Sequence, residues 1–244
     1  MIYYQSYGDN NNKTLVLLHS GGMAGIEWQP QIEMLAKHFR LLVPDLPGHG
    51  KSIVPEGKTL SISMMAESVV ELLKHERVDK AHLLGSSMGG AVALWMALKF
   101  PDVVDKLIIY RIGYDKNEET HAQTRSMADP DYWRQYGMHD WLSKLHIPQG
   151  DANSWENVIA GVSSVLDPKT SDHNHSLADL STIGAETLLI AGDSDPLISV
   201  QTLLNMREVI PHCALWIMPK ATHITASNTW RAKAFAEEII RFLR

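Results

Sequence analysis

The chain has 244 residues, 45% of them hydrophobic and 20% charged, with a formal net charge of −6, a composition that suits one globular domain, or one domain carrying an insert, and excludes long disorder. The longest unbroken apolar run, Ala91 to Leu98, is far short of the roughly 18 residues a membrane span needs, the first residues carry no signal-like core, and no basic cluster suits a phosphate backbone. A lone cysteine, Cys213, rules out an internal disulfide and fits a reducing compartment, so the expectation is a cytoplasmic protein with a small-molecule partner, no membrane or nucleic-acid partner, and an oligomeric state that composition leaves open.

Six short runs are almost continuously apolar: Thr14–His19, Arg40–Pro44, Ala81–Gly85, Lys106–Tyr110, Thr187–Ala191 and Ala214–Met218. Runs of this kind, without polar alternation, predict strands buried on both faces of a parallel sheet. Helical spacing fills the intervals at Trp28–Phe39, Ser61–His75, Met88–Phe100, Val200–Ile210 and Thr229–Leu243. Strand and helix in alternation predict an open, mostly parallel α/β sheet flanked by helices, with right-handed crossovers.

The strand at 106–112 is followed by a different composition. Residues 113–182 hold five Lys/Arg against eleven Asp/Glu, and so carry the whole net charge, together with three of the seven tryptophans. This predicts a helical cap inserted into the sheet domain, with core at 1–112, cap at 113–182 and core again at 183–244. Short helices are expected near Asp131–Tyr136 and Ser154–Val165.

In such sheets, functional groups gather beyond the carboxyl ends of the strands. The turn Gly85-Ser86-Ser87-Met88-Gly89 runs from a strand straight into a helix and contains G-x-S-x-G. A turn that sharp strains the serine backbone, exposes its hydroxyl at a helix N-terminus and aims the Met88 N–H at a substrate oxyanion.

With this turn the chain resembles the α/β-hydrolase fold superfamily over nearly its whole length apart from the insert, and three further motifs in the right order carry the resemblance. His19-Ser20-Gly21-Gly22 is similar to the family's H-G-x-G loop, which implies Gly21 as the second oxyanion donor; Ser20 stands where relatives have glycine. Asp45-Leu-Pro-Gly-His-Gly50-Lys-Ser52 is similar to a family turn and reads as structural, His49 included. Ala191-Gly-Asp193-Ser-Asp195-Pro implies Asp195 as the catalytic acid, with Asp193 as competitor and Asp115 as the option from the preceding strand. Pro219-Lys-Ala-Thr-His223 implies His223 as the general base.

A serine hydroxyl needs a base to remove its proton, an imidazole can accept it, and a buried carboxylate holds the imidazole in the right tautomer. The order Ser87, Asp195, His223 is that of the α/β hydrolases. The resemblance therefore implies a cofactor-independent serine hydrolase acting through an acyl-enzyme on a small ester, thioester or lactone, or on a C–C bond. Two alternatives share the fold: a lyase or proton-abstraction enzyme like that of menaquinone biosynthesis, and a ligand receptor with little turnover. Trp28, which is similar to a tryptophan of enol-lactonases and small carboxylesterases, is expected to contact substrate, as are Trp133 and Trp155. Lys51, Arg111 and Arg125 are weaker candidates to meet a substrate carboxylate. His173 and His175 lack the carboxylate spacing of a metal site, so neither metal nor cofactor is expected.

Overall fold

The computed structural model of the chain describes residues 1–54, 56–115, 118–223 and 230–244. Seven strands form one sheet: β1 (Tyr4–Tyr7), β2 (Thr14–Leu18), β3 (Arg40–Pro44), β4 (Ala81–Ser86), β5 (Val104–Tyr110), β6 (Glu186–Gly192) and β7 (Cys213–Met218), in the order β1-β3-β2-β4-β5-β6-β7. All neighbours pair in parallel except β1, which runs antiparallel to β3. The six expected strands are thus present. The seventh, β1, is Tyr-Gln-Ser-Tyr, a half-exposed edge strand whose polar face gives no apolar run.

Every residue of β2 and β4 is buried, and successive residues serve opposite faces. Val16, Leu18, Leu83, Leu107 and Ile109 enter one core with α2 (Ile62–His75), α3 (Met88–Lys99) and α9 (Val200–Val209). Leu15, Leu17, Leu84, Ile108 and Ile190 enter the other with α1 (Gln29–Leu35) and α10 (Ala232–Leu243). The predicted start of the last helix at Thr229 lies outside the described residues. Trp28, expected to open a helix, instead ends a 3₁₀ turn at Gly25–Trp28.

Between β5 and β6 the chain forms α4 (Glu118–Met127), α5 (Pro130–Gln135), α6 (His139–His146), α7 (Ser154–Val165) and α8 (Leu177–Leu180). Of these, α5 and α7 match the helices expected from the sequence. The last, α8, lies against α9 and buries Leu180 in the same core as the sheet, whereas Leu142 of α6 and Trp155 and Ile159 of α7 make a separate small core.

Three buried histidines hold the loops after β2 and β3, and one of them, His146, joins this helical segment to both. The Leu46 N–H donates to His19 Nε2 at 2.8 Å, so the His19 proton sits on Nδ1 and is given to the Ser20 carbonyl. The Gly22 N–H donates to His49 Nε2 at 3.1 Å, leaving His49 Nδ1–H for the Pro47 carbonyl. The Gly50 N–H donates to His146 Nδ1 at 3.1 Å, and His146 Nε2–H returns a bond to the Gly22 carbonyl at 2.9 Å. Each ring is neutral, with its tautomer fixed by a backbone donor. His146, on α6, thereby ties the loop after β2 to the loop after β3.

Burial is the main force lowering the pKa of all three below the ordinary histidine value, furthest for His49, where the two neighbouring rings add to it. As pH falls through about 6.5 the unfolded chain takes up protons that the folded cluster refuses, so stability falls with pH by up to about 1.4 kcal/mol per pH unit for each histidine. Denaturant midpoints measured from pH 7.5 to 5 should show this decline, and His49→Gln should remove about one histidine's share of the slope.

Candidate active site

The carboxyl ends of β2, β4, β5 and β6 lie side by side, with Leu18 opposite Gly85, Ser86 opposite Tyr110 and Tyr110 opposite Ile190. Chemistry-bearing residues immediately follow each: His19, Ser87, Arg111, and Asp193 to Asp195. Ser87 sits between β4 and α3 with φ 50° and ψ −116°, in a region that side-chain-bearing residues avoid. Its N–H is held by the Tyr110 carbonyl at 2.8 Å.

The neighbouring glycines are required by distance. A Cβ on Gly85 would lie 2.2 Å from the Gly89 carbonyl oxygen, and one on Gly89 would lie 2.4 Å from that of Leu18. Strand, elbow and helix can approach this closely only without side chains.

The Ser87 Oγ lies 3.1 Å from His223 Nε2, and His223 Nδ1 lies 2.8 Å from Asp195 Oδ2. The Asp195 side chain is fully buried and accepts the Leu197 and Ile198 N–H groups on Oδ1. Those bonds fix the carboxylate plane against the ring. Asp193 is turned elsewhere: it accepts from its neighbour Ser194 and from the Ala221 N–H, and backbone hydrogen bonding, from Lys220 first, lowers its pKa. Of the competing acids, Asp195 is the one brought to the imidazole.

Gly21 and Ser87 line one cavity of about 470 Å³, within the usual range for small-ligand sites. Met88, the other expected donor, is the first residue of α3 and its side chain is buried in the core. The polar end of the cavity holds Ser87, His223, Glu27 and Arg111, and its apolar walls include Met127, Trp133, Leu142, Ile159 and Val162 from α4 to α7. A Cβ on Gly21 would lie 2.4 Å from Val162 Cγ1, so α7 presses directly on this loop.

The three tryptophans separate. Trp133 lines the cavity. Trp28 does not: it is 1% exposed and packs in the core with α1 and α10, its ring 6.4 Å from that of Phe235. Trp155 also lies away from the wall, filling the small core under α6 and α7. Neither indole is among the lining residues of this cavity; both are taken up by core packing, where a large buried indole contributes most. Lys51 rests on the Tyr3 ring and Arg125 pairs with Glu118 on the surface, so neither is placed to meet a ligand here.

Two lining residues carry weight that spacing did not reveal. Glu27 adjoins Trp28, and Arg111, expected only as a weaker candidate to meet a substrate carboxylate, follows the apolar end Leu107–Tyr110 of β5. A charge directly after that apolar end was the available signal. Arg111 adopts φ 53° and its N–H extends the ladder to the Ile190 carbonyl at 2.7 Å.

Residues 13–137 match the family described as the alpha/beta hydrolase fold. A pimeloyl-[acyl-carrier protein] methyl ester esterase of Aeromonas salmonicida (strain A449) is 44% identical over 94 residues, which take in 38% of this chain and 35% of that one. The chain spans less than half the length of the first curated relatives it matches. Among solved structures, the enol-lactonase from Burkholderia xenovorans LB400 superposes with a TM-score of 0.76 at 22% identity, covering 99% of this chain and 96% of that one. A meta-cleavage product hydrolase from Pseudomonas fluorescens IP01 gives 0.80 at 20% identity, covering 98% and 93%. At such identities the likeness is one of fold. The sheet order, the elbow and the family match agree: the chain belongs to the alpha/beta hydrolase fold family.

Proposed function

We propose that the protein is a serine hydrolase that cleaves a small ester, thioester or lactone through an acyl-enzyme. The observation that carries this reading is the pair of contacts on His223: one ring nitrogen 3.1 Å from the Ser87 hydroxyl and the other 2.8 Å from the buried Asp195 carboxylate. In this reading Asp195 keeps His223 protonated on Nδ1, so Nε2 carries the lone pair that takes the Ser87 proton as Oγ attacks the carbonyl carbon. The tetrahedral oxyanion faces the backbone N–H groups of Gly21 and Met88, and the N-terminal dipole of α3 favours the same charge. His223 then returns the proton to the leaving group, and water repeats the sequence to release the acid. The esterase named among the relatives supports ester chemistry over C–C cleavage.

In the same reading α4 to α7 act as the cap over Ser87. The ionised side chains among the described lining residues, Glu27 and Arg111, pair with each other. A substrate is therefore met by apolar walls and a locally neutral polar end, which suits an uncharged acyl or alcohol group of modest size.

Ser87→Ala and His223→Ala should each lower kcat/KM for short nitrophenyl esters by about 1,000-fold or more, with thermal midpoints near wild type, and a fluorophosphonate should modify Ser87 alone. Modification without ester turnover would favour the lyase alternative, and tight ligand binding that survives Ser87→Ala without turnover would favour a receptor. Neutral medium-chain acyl esters should be cleaved with higher kcat/KM than half-esters of dicarboxylic acids of equal length; the reverse order would overturn the neutral-cavity reading. Gly21→Ala should lower kcat by driving the oxyanion loop against Val162, and Val162→Ala should restore part of the loss.

A further inference from the structure

Glu27 and Arg111 form an ion pair at 2.6 Å whose side chains are only 8% and 7% exposed. A buried pair of this kind is a weak source of stability, since desolvation offsets the attraction. Its connections are more informative. Glu27 Oε2 accepts both the Ser20 N–H, at 2.6 Å, and the Ser20 hydroxyl, at 2.8 Å. Glu27 Oε1 accepts the Ser86 hydroxyl at 3.1 Å as well as Arg111 Nη2. Arg111 Nε donates to the same Ser86 oxygen at 2.9 Å, and its Nη1 donates to the main-chain carbonyl of His223.

Each partner sits beside a working part of the proposed site. Ser20 precedes Gly21, Ser86 precedes Ser87, and the His223 carbonyl belongs to the residue whose ring receives the proton. These three come from separate parts of the chain: the loop after β2, the last residue of β4 and the loop after β7. The pair bonds to all three at once. The planar, forked guanidinium can reach two directions with fixed geometry, which an ammonium cannot.

We propose that Glu27 and Arg111 are positioning residues: one buried clamp that sets the oxyanion loop, the nucleophile elbow and the histidine loop in register with one another. The inference rests on the serine-hydrolase reading above. It also gives Ser20 a role, because a glycine there would offer Glu27 only the N–H and lose the hydroxyl. Neither charged residue takes a proton or touches the reacting atoms in this scheme; both act by holding the His223 carbonyl and the residues that precede Gly21 and Ser87.

The test uses Glu27→Gln, Arg111→Gln and the double variant in the full chain, measuring thermal midpoint, kcat and KM for a nitrophenyl ester, and the fluorophosphonate modification rate of Ser87 against pH. Each single variant should lower kcat and the modification rate about 10- to 100-fold with KM changed less, because small misplacements of reacting groups cost this much. Glu27→Gln leaves a cation beside His223 and should move the acid limb of the modification profile to lower pH, while Arg111→Gln leaves an anion and should move it to higher pH. The double variant has no unpaired buried charge and should recover stability without recovering rate. Full recovery of both, or limbs that do not move, would mean the pair only supports the fold and would overturn the assignment. A wild-type protein that takes no fluorophosphonate would overturn the serine-hydrolase reading and the clamp with it, whereas a modified wild type with unaffected variants would overturn the clamp alone.

Discussion

The site depends on how closely β4, α3 and the end of β2 approach around Ser87. With Gly85 and Gly89 packed backbone to backbone, the chain has room for one residue between strand and helix, and that residue must accept a positive φ. The strain is maintained by what surrounds it: the Tyr110 carbonyl on the Ser87 N–H and the flanking strands β2 and β5, both buried at their carboxyl ends. A strained residue persists only where its neighbours over-determine it. The direction of the Ser87 Cα–Cβ bond is thus set by the sheet itself.

Around that point the polar interior is layered. The neutral histidines His19, His49 and His146 hold backbone groups of the loops after β2 and β3, while Glu27, Arg111 and Ser86 connect the loops after β2 and β7 with the end of β4. Together they satisfy N–H and C=O groups of irregular loops buried between the sheet and the helices above it, groups that would otherwise be costly to bury. His146 stands out because it comes from α6, more than 90 residues along the chain from the loops it joins. Helices that line the cavity are consequently bonded to the loop that carries Gly21, through His146, as well as packed on it through Val162.

Much of the fold was readable from residue order. The six predicted strands announced themselves as apolar runs, and the helices between them by their spacing; five are buried over most of their length, because parallel strands covered on both faces cannot tolerate polar alternation, while β7, expected to be buried on both faces, is an edge strand that buries only Met218 fully. The edge strand Tyr4–Tyr7 escaped notice since only a half-buried edge asks so little of composition. The segment after β5 was recognisable as different in charge, yet α4 and α6 were not: their helices are short and polar, and what fixes them is contact with α7 and with the loops below. Motif spacing singled out Ser87, Asp195 and His223, and the structure brings these three side chains within hydrogen-bonding distance. Spacing did not separate Trp133 from Trp28 and Trp155, because a tryptophan in a core and one in a pocket wall look alike in sequence.

Residue order by itself settled the alternation of strand and helix, the glycines flanking Ser87 and the order of nucleophile, acid and base, since each is a local requirement of backbone geometry or burial. Only the tertiary structure decided which acid faces His223, which indole lines the cavity, and that Glu27, Ser86 and Arg111 meet. Those outcomes depend on directions and distances between loops separated by up to 136 residues, and burial of a polar group is decided by which partners arrive beside it.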